Sequence, residues 1–403
     1  GDNTMNNIAS LALREMRESI VRALAQWPLA ERLYSVEGDG PLNDLLVESF
    51  TLVDTVSSPS QMRLSLLSLD DDLDVQALLW KRLCLVTTLA DGTRSRVSGL
   101  ITHIGNTGTD GAFARLDAVV MPFVHRLALT SQNRVWQDKT VIDIVDDVFK
   151  HPALQGMASW RWGEEGESID RFIAKGGRAQ RQYITQYQET DWAFVQRLLA
   201  EEGLGWRLEE DADAAAGHTL VIYADSSAWP QNVTSESPIG GMGIRYHQTS
   251  AVQAQDAMHV FGGLRVLQPS MGYTLRWDYL AKRSVAVDVP SAMLGCAEAL
   301  NDHREWLAHY EFDGSGDGDN HAAVLHYTVL RQEANECRFK TWKGQSSVRS
   351  LRAGQWFKLT QFHQAGVERG KDEFAVLTVK ALGINNLPSG VSEHLQEGLR
   401  RTE

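Results

Sequence analysis

The feature that most constrains this chain is a run of short β-type segments cut at close intervals by turn dipeptides. Segments 45–53, 63–69, 82–90, 96–104 and 112–121 alternate in hydropathy or are rich in β-branched residues. Asp91-Gly92, Gly105-Asn106-Thr107-Gly108 and Asp110-Gly111 separate them. Such dipeptides reach positive φ at little steric cost and close tight hairpins. The spacing leaves no room for the helices of about a dozen residues that a parallel βαβ sheet needs, so this part reads as an antiparallel barrel or sandwich.

Helical periods flank and interrupt that pattern. Ile8, Leu11, Ala12, Met16, Ile20, Ala23 and Leu24 fall three or four apart until Pro28. This predicts an amphipathic helix over 6–25 that covers its own domain. Thr140 with Asp143 makes a capping pair ahead of the stripe Val141, Ile144, Val145 and Val148, and Lys150 and Pro152 end the run. Thr190 caps a second helix with Trp192, Val195, Leu198 and Leu199 on its buried face and Gly203 as left-handed stop. Glu201 and Glu202 oppose the dipole of that helix, a cost that calls for a partner. The stretch 160–180 reads as irregular. β character returns over 219–223, 243–247, 258–266, 273–279, 324–332, 337–342, 355–362 and 373–381. A helix is expected over 292–309, and the polar tail from Pro388 reads as a fraying helix or as disorder.

Charge and cysteine usage remove several function classes. The 403 residues carry 39 Lys and Arg against 52 Asp and Glu, a net charge of −13. A nucleic-acid backbone binder draws its affinity from a basic surface, so nucleic acid is not an expected partner. Cys84, Cys296 and Cys337 are far apart and form no CxxC, which fits neither a disulfide framework nor a thiolate zinc site. Cys84 and Cys337 sit in strand-like apolar runs and read as buried thiols. No apolar run has the length of a membrane-spanning helix, and the N-terminal stretch, with Glu15 and Glu18, lacks a secretory signal pattern. Residues 1–4, which begin without methionine, are set aside.

The polar residues form no recognisable catalytic or metal-binding pattern. Asp313, Ser315, Asp317, Gly318 and Asp319 resemble the start of an EF-hand calcium loop, but Val324 stands where a bidentate Glu is needed and is expected to open a strand. The reading is an acidic connector. Asp70, Asp71, Asp72 and Asp74 precede Val75, Leu78 and Leu79 and read as helix capping. The histidine spacings His303/His309 and His321/His326 match no ligand pair. No GxSxG elbow occurs, and Gly240-Gly241-Met242-Gly243 and Gly203-Leu204-Gly205 read as turns, not phosphate cradles. No catalytic, cofactor-binding or metal-ligating residue is expected, and the chain is read as a non-enzyme.

One stretch carries a resemblance. Residues 183–203, YITQYQETDWAFVQRLLAEEG, resemble the signature of the VgrG (Rhs element Vgr) family of type VI secretion spike proteins. There a strand of type Y-C-x-Q-Y-x-E-S-D leads into a helix of type F-x-x-R-L-L-E-E-E-G. Tyr183, Gln186, Tyr187, Glu189, Asp191, Phe194, Arg197, Leu198, Leu199, Glu201, Glu202 and Gly203 match, while Ile184 replaces a cysteine and Thr190 a serine. Residues 131–145, SQNRVWQDKTVIDIV, are similar to the family's S-x-x-R-I-F-Q-x-K-S-V-x-D-I-I. Residues 73–79, 97–102 and 273–279 extend the likeness, which covers about 33–381.

The resemblance implies a mainly β fold with an α+β middle: two β-barrel-like, tail-tube-like modules flanking a helix-containing region, as in a phage tail hub. The division expected is a helical extension over 1–30, a first module over 31–130, a middle over 131–250, a second module over 251–385 and a polar tail over 386–403. It implies a homotrimeric hub that docks on the hexameric tube protein Hcp, carries a puncturing needle and effectors, and leaves the bacterial cytoplasm through the type VI apparatus without a signal peptide. The family's OB-type domain and β-helical needle have no counterpart in these residues, so a hub fragment or a short form is expected. The alternatives are a phage tail baseplate hub and a tail-associated cell-wall hydrolase. Most motif residues are expected to set the fold as core and caps.

Overall fold

Alternate burial of residues assembles the first sheet of this computed structural model. It describes residues 2–163, 168–176, 180–238, 242–247, 256–278, 280–291, 308–316, 321–363 and 371–400. Helix α1 (Asp2–Ala25) leads into β1 (Tyr34–Gly38), β2 (Leu46–Thr55), β3 (Ser58–Ser68), β4 (Arg82–Thr88), β5 (Arg94–Thr109) and β6 (Ala114–Met121). Phe50 and Leu52, Met62, Leu64 and Leu66, Leu83 and Leu85, and Leu116, Ala118 and Val120 all turn to one side and form one core. The period of two in the sequence is thus the period of a sheet with one buried face.

The α+β middle contains β7 (Ser131–Lys139), α2 (Val141–Phe149), β8 (Trp160–Trp162), α3 (Ile169–Ala174), β9 (Arg181–Thr190), α4 (Asp191–Glu201), β10 (Gly205–Glu210) and β11 (His218–Tyr223). Strands β7 and β9 form a two-stranded ribbon, and β10, β11 and β8 a small sheet. The capping pair is present: Asp143 N donates to Thr140 Oγ1 at 3.1 Å and Thr140 N to Asp143 Oδ2 at 3.0 Å. The stretch 160–180 is not irregular throughout. Trp160 and Trp162 both donate indole N–H bonds to Asp146 Oδ1, which fixes β8 beside β11, and Ser168 caps α3.

The C-terminal part comprises α5 (Val233–Glu236), β12 (Ile244–Tyr246), β13 (Ala257–Arg265), β14 (Met271–Asp278), β15 (Arg283–Pro290), β16 (Ala308–Gly316), α6 (His321–Phe339), β17 (Lys340–Ser346), β18 (Trp356–Thr360), β19 (Glu373–Ala375), β20 (Thr378–Ile384) and α7 (Ser389–Arg400). A five-stranded sheet has the order β17-β13-β12-β18-β19, and α6 lies on the three-stranded sheet β15-β14-β16. The architecture is mainly β, with two half-barrel sheets.

Two expectations do not hold. Residues 324–332 are not a strand but the middle of α6. Ala323, Val324, Thr328 and Gln332 are its buried residues, spaced as one helical face, and Thr328 Oγ1 donates to Val324 O in the manner of helix back-bonding. Val324 therefore opens no strand after the acidic loop, of which Asp317, Gly318 and Asp319 lie outside the described residues. Cys337 is exposed near the end of the same helix and is not a buried thiol, whereas Cys84 is buried on β4. The helix expected over 292–309 falls on residues 292–307, outside the described ones, and residues 308–309 begin β16.

The tail forms a packed helix. Val391 and Leu395 of α7 close over Ile20, Trp27, Leu46, Leu67 and Phe113, so α7 and the C-terminal half of α1 cover one end of the first sheet. The N-terminal half of α1 does not share that packing: Ile8 and Leu11 are exposed. No helix among the described residues is long and apolar enough to cross a membrane.

Two details unite the β parts. The carboxamide of Asn385 accepts from Tyr34 N at 3.1 Å and donates to Tyr34 O at 2.9 Å and Val47 O at 2.7 Å, bridging the edge strand β1 to β2. The segment holding β19 and β20 belongs to two sheets. Val376 exchanges hydrogen bonds with Gly354 and Gln355 beside β18, while the next carbonyl, Leu377 O, accepts from Val56 N beside β2. Successive residues of an extended chain point to opposite edges, so β19 hangs on β18 by one edge and β20 hangs on β2 by the other. Gly383 is required in β20 because any Cβ there would run into the Phe50 ring.

Candidate functional site: the motif node and the junction between modules

The motif residues meet where β9 turns into α4. Gln186 and Asp191 are buried side by side, and Arg134 from β7 reaches between them. Its guanidinium donates to Gln186 Oε1 at 2.9 and 2.8 Å and to Asp191 Oδ1 at 3.0 Å, and Gln186 Nε2 also donates to Asp191 Oδ1 at 2.8 Å. A buried carboxylate is tolerable only when paired and hydrogen-bonded in this way. Asp191 N donates in turn to Thr130 O, and Thr190 Oγ1 accepts from Ala193 N, which starts α4.

The helix locks down from that point. Phe194 is fully buried and stacks on Trp136 at 5.1 Å between ring centres, with the Arg197 guanidinium 5.3 Å from its ring centre. Arg197 also pairs with Glu189 at 2.6 Å and with Glu201 at 3.1 Å. Leu198 and Leu199 are buried, and Gly203, at φ +71°, ends the helix as Leu204 N donates to Leu199 O. The partner required by Glu201 and Glu202 is Arg181, which pairs with both. Burial disfavours the Arg181 cation, but the two glutamates outweigh it and hold its pKa above the ordinary value. Tyr183 and Tyr187 stand apart from the node: they are 54% and 67% exposed on the outer face of the ribbon.

A second polar cluster, with no signal in sequence spacing, sits where three parts of the chain meet. Arg352, between β17 and β18, donates from Nε to Asp54 Oδ2 on β2 at 2.7 Å. Ala353 N donates to the same oxygen at 3.0 Å, and Glu210 on β10 lies 3.7 Å from the guanidinium. Glu210 Oε1 accepts from Ser98 N at 2.6 Å, bringing in β5. Burial pushes the Glu210 carboxyl pKa up, against the pull of Arg352 and Ser98. Nearby, Arg349 donates to Thr88 O at 2.7 Å and pairs with Asp256. Asp54 and Arg352 are 298 residues apart, so no local pattern could have announced them.

His218 is buried against this junction. Phe123 N donates to its Nε2 at 3.2 Å, which leaves Nδ1 as the protonated nitrogen, donating to Ala216 O at 3.1 Å. Burial, aided by Arg352 and Arg82, lowers its pKa from 6.5 to about 4. The unfolded chain therefore takes up a proton below about pH 6.5 while the folded chain stays neutral until about pH 4. The sign follows: His218 costs the fold nothing at pH 7 and removes about 3 kcal/mol as pH falls across that window. Urea unfolding of the wild type and His218→Asn at pH 7 and pH 4.5 measures this. The wild type is expected to lose more stability on acidification; equal losses would refute the assignment. Glu210, whose raised pKa acts with the opposite sign, is common to both proteins.

Arg134 is spent on Gln186 and Asp191, and Arg352 on Asp54 and Glu210, and among the described residues no three His, Cys, Asp or Glu side chains converge as a metal-holding group. From the acidic run, Asp74 Oδ1 accepts from Ala77 N at 3.4 Å beside a short 3-10 turn, Gln76–Leu78, whose cap position is Val75.

Comparison with known proteins places this architecture. The type VI secretion system spike protein VgrG1b of Pseudomonas aeruginosa is 24% identical over 336 residues, covering 83% of this chain and 41% of the relative. VgrG3 of Vibrio cholerae is 30% identical over 149 residues, 36% of this chain and 13% of that protein. The chain thus spans about two-fifths of the length of VgrG1b. Among solved structures, the Escherichia coli c3393 protein is described as a type VI secretion component similar to the T4 phage tail proteins gp27 and gp5. It superposes with a TM-score of 0.57 at 17% identity, covering 87% of this chain and 73% of that one. The 43 kDa tail protein of prophage MuSo2 from Shewanella oneidensis gives 0.54 at 11% identity, covering 88% and 96%. Residues 53–387 match the phage tail baseplate hub (GPD) family, and the chain belongs to that family, with the VgrG spike proteins of type VI secretion systems among its relatives.

Proposed function

We propose that this chain forms the hub of a type VI secretion spike: three copies close a ring that docks on the hexameric tube protein Hcp and carries needle and effectors through further parts of the spike. The observation that carries this reading is the joining of two half-barrel sheets by one continuous segment, β19 to β20, and a buried ionic junction. Two tied modules per chain give three chains six similar faces, matching the symmetry of a six-membered tube. The work of such a hub is shape and interface, which agrees with polar clusters spent on holding modules together. The division of the chain proposed above, with a first module, a middle and a second module, belongs to this reading. So does a role for the motif residues in setting the fold, and exit through the secretion apparatus from the cytoplasm.

Native mass spectrometry tests it. A species of three 44.9 kDa chains that binds one Hcp hexamer is the expected result. A trimer that ignores Hcp but caps a phage tail-tube ring would favour the phage tail hub instead. Clearing of purified cell walls by the wild-type chain would count against a purely structural role.

A further inference from the structure

Two edge strands in different parts of the chain present the same display. β20 ends the seven-stranded sheet, and among the described residues no strand pairs with its second edge. The backbone of Thr378, Lys380, Leu382 and Ile384 faces that edge, because the odd-numbered residues face β2. On the outer face Leu382 and Ile384 are each 72% exposed. β16 ends the three-stranded sheet likewise among the described residues, and Tyr310 and Phe312 are 70% and 71% exposed. A bare edge with two exposed apolar side chains at i, i+2 is a template for another strand.

Three other edges are guarded. Asn385 occupies the Tyr34 backbone on β1, and Asn43 Oδ1 accepts from Gly38 N at the other end of that strand. β17 shows Lys340, Lys343 and Gln345 to solvent, and β19 is only three residues long. Charged, covered or very short edges resist pairing, whereas β20 and β16 each combine an open edge among the described residues with two strongly exposed apolar side chains two residues apart.

We propose that β20 of one copy pairs with β16 of a second copy, with Leu382 and Ile384 packing on Tyr310 and Phe312. The strands are of similar length, seven and nine residues. Lys380, on the same face as Leu382, discourages indiscriminate pairing and is suited to an aromatic strand, where its ammonium can lie over a ring. The contact joins different surfaces, so each added copy leaves one β20 and one β16 edge open until the assembly closes. Closure at three rests on the hub reading above; the pairing of these two edges does not.

Two charge variants test the pairing, Leu382→Lys with Ile384→Lys and Tyr310→Lys with Phe312→Lys, all at exposed positions. Each is first required to match the wild-type circular dichroism melting curve. Serine in place of lysine serves where it does not. Native mass is then read for the wild type, each variant and an equimolar mixture. The wild type is expected at three times 44.9 kDa and each variant alone as a monomer. The mixture, which retains one intact β20 and one intact β16, is expected to give heterodimers and no trimer. A trimeric wild type whose variants stay trimeric overturns the strand pairing and leaves the hub reading standing. A wild type that stays monomeric at its highest soluble concentration overturns both.

Discussion

Arg352→Ala is expected to lower the unfolding free energy by about 3–5 kcal/mol, the usual cost of leaving one buried charge without its partner. The substitution strips Asp54 of its charged donor, leaving only Ala353 N on a carboxylate that is almost wholly buried. It also removes the cation facing Glu210, whose pKa burial already raises. Burial acts against the Arg352 charge as well, but Asp54 and Glu210 outweigh it and keep its pKa raised. The double variant Arg352→Met with Asp54→Leu is expected to recover much of the loss, because an apolar pair needs no desolvation of ions. Equilibrium unfolding of the single variants and the double gives the coupling directly. Simple addition of the two losses would show that the junction is not a unit.

The second large effect belongs to the motif. Phe194→Ala is expected to cost about 3–5 kcal/mol, the range for truncating a fully buried aromatic side chain. It opens a cavity under Trp136 and removes the surface on which Arg197 rests. Tyr187→Ala, in the same signature, is expected to change stability by no more than about 0.5 kcal/mol, because Tyr187 is exposed. Thermal or urea unfolding of the two variants under one condition is the check. Equal losses would show that exposure on the ribbon does not describe the role of Tyr187.

Much of this fold is legible in the sequence, and what is not has physical causes. The turn dipeptides and alternation of residues 45–121 mark the first sheet because one face is dry and the other wet. The caps Thr140 and Thr190 and the stop at Gly203 are local chemistry, visible within four residues. Helix α6 reads as a strand in the sequence because Val324, Leu325, Tyr327, Thr328 and Val329 are mostly β-branched or aromatic; packing on β14 and β15 overrides that propensity. The motif node is legible only through resemblance. Gln186 and Asp191 are five residues apart, but Arg134, which joins them, comes from another strand. The Asp54–Arg352–Glu210 junction is not legible at all, since long-range ion pairs leave no period or spacing to read.

The segment that carries β19 into one sheet and β20 into the other has a mechanical consequence. Seven residue pairs tie it to β2 along one edge and three tie it to β18 along the other. A force that slides one module past the other along this segment loads those ladders in shear, so their bonds must yield together, not one by one. Survival under such a load is governed by the unfolding rate, not by equilibrium stability. A thrust delivered to one half-barrel along this segment is therefore passed to the other through the backbone itself.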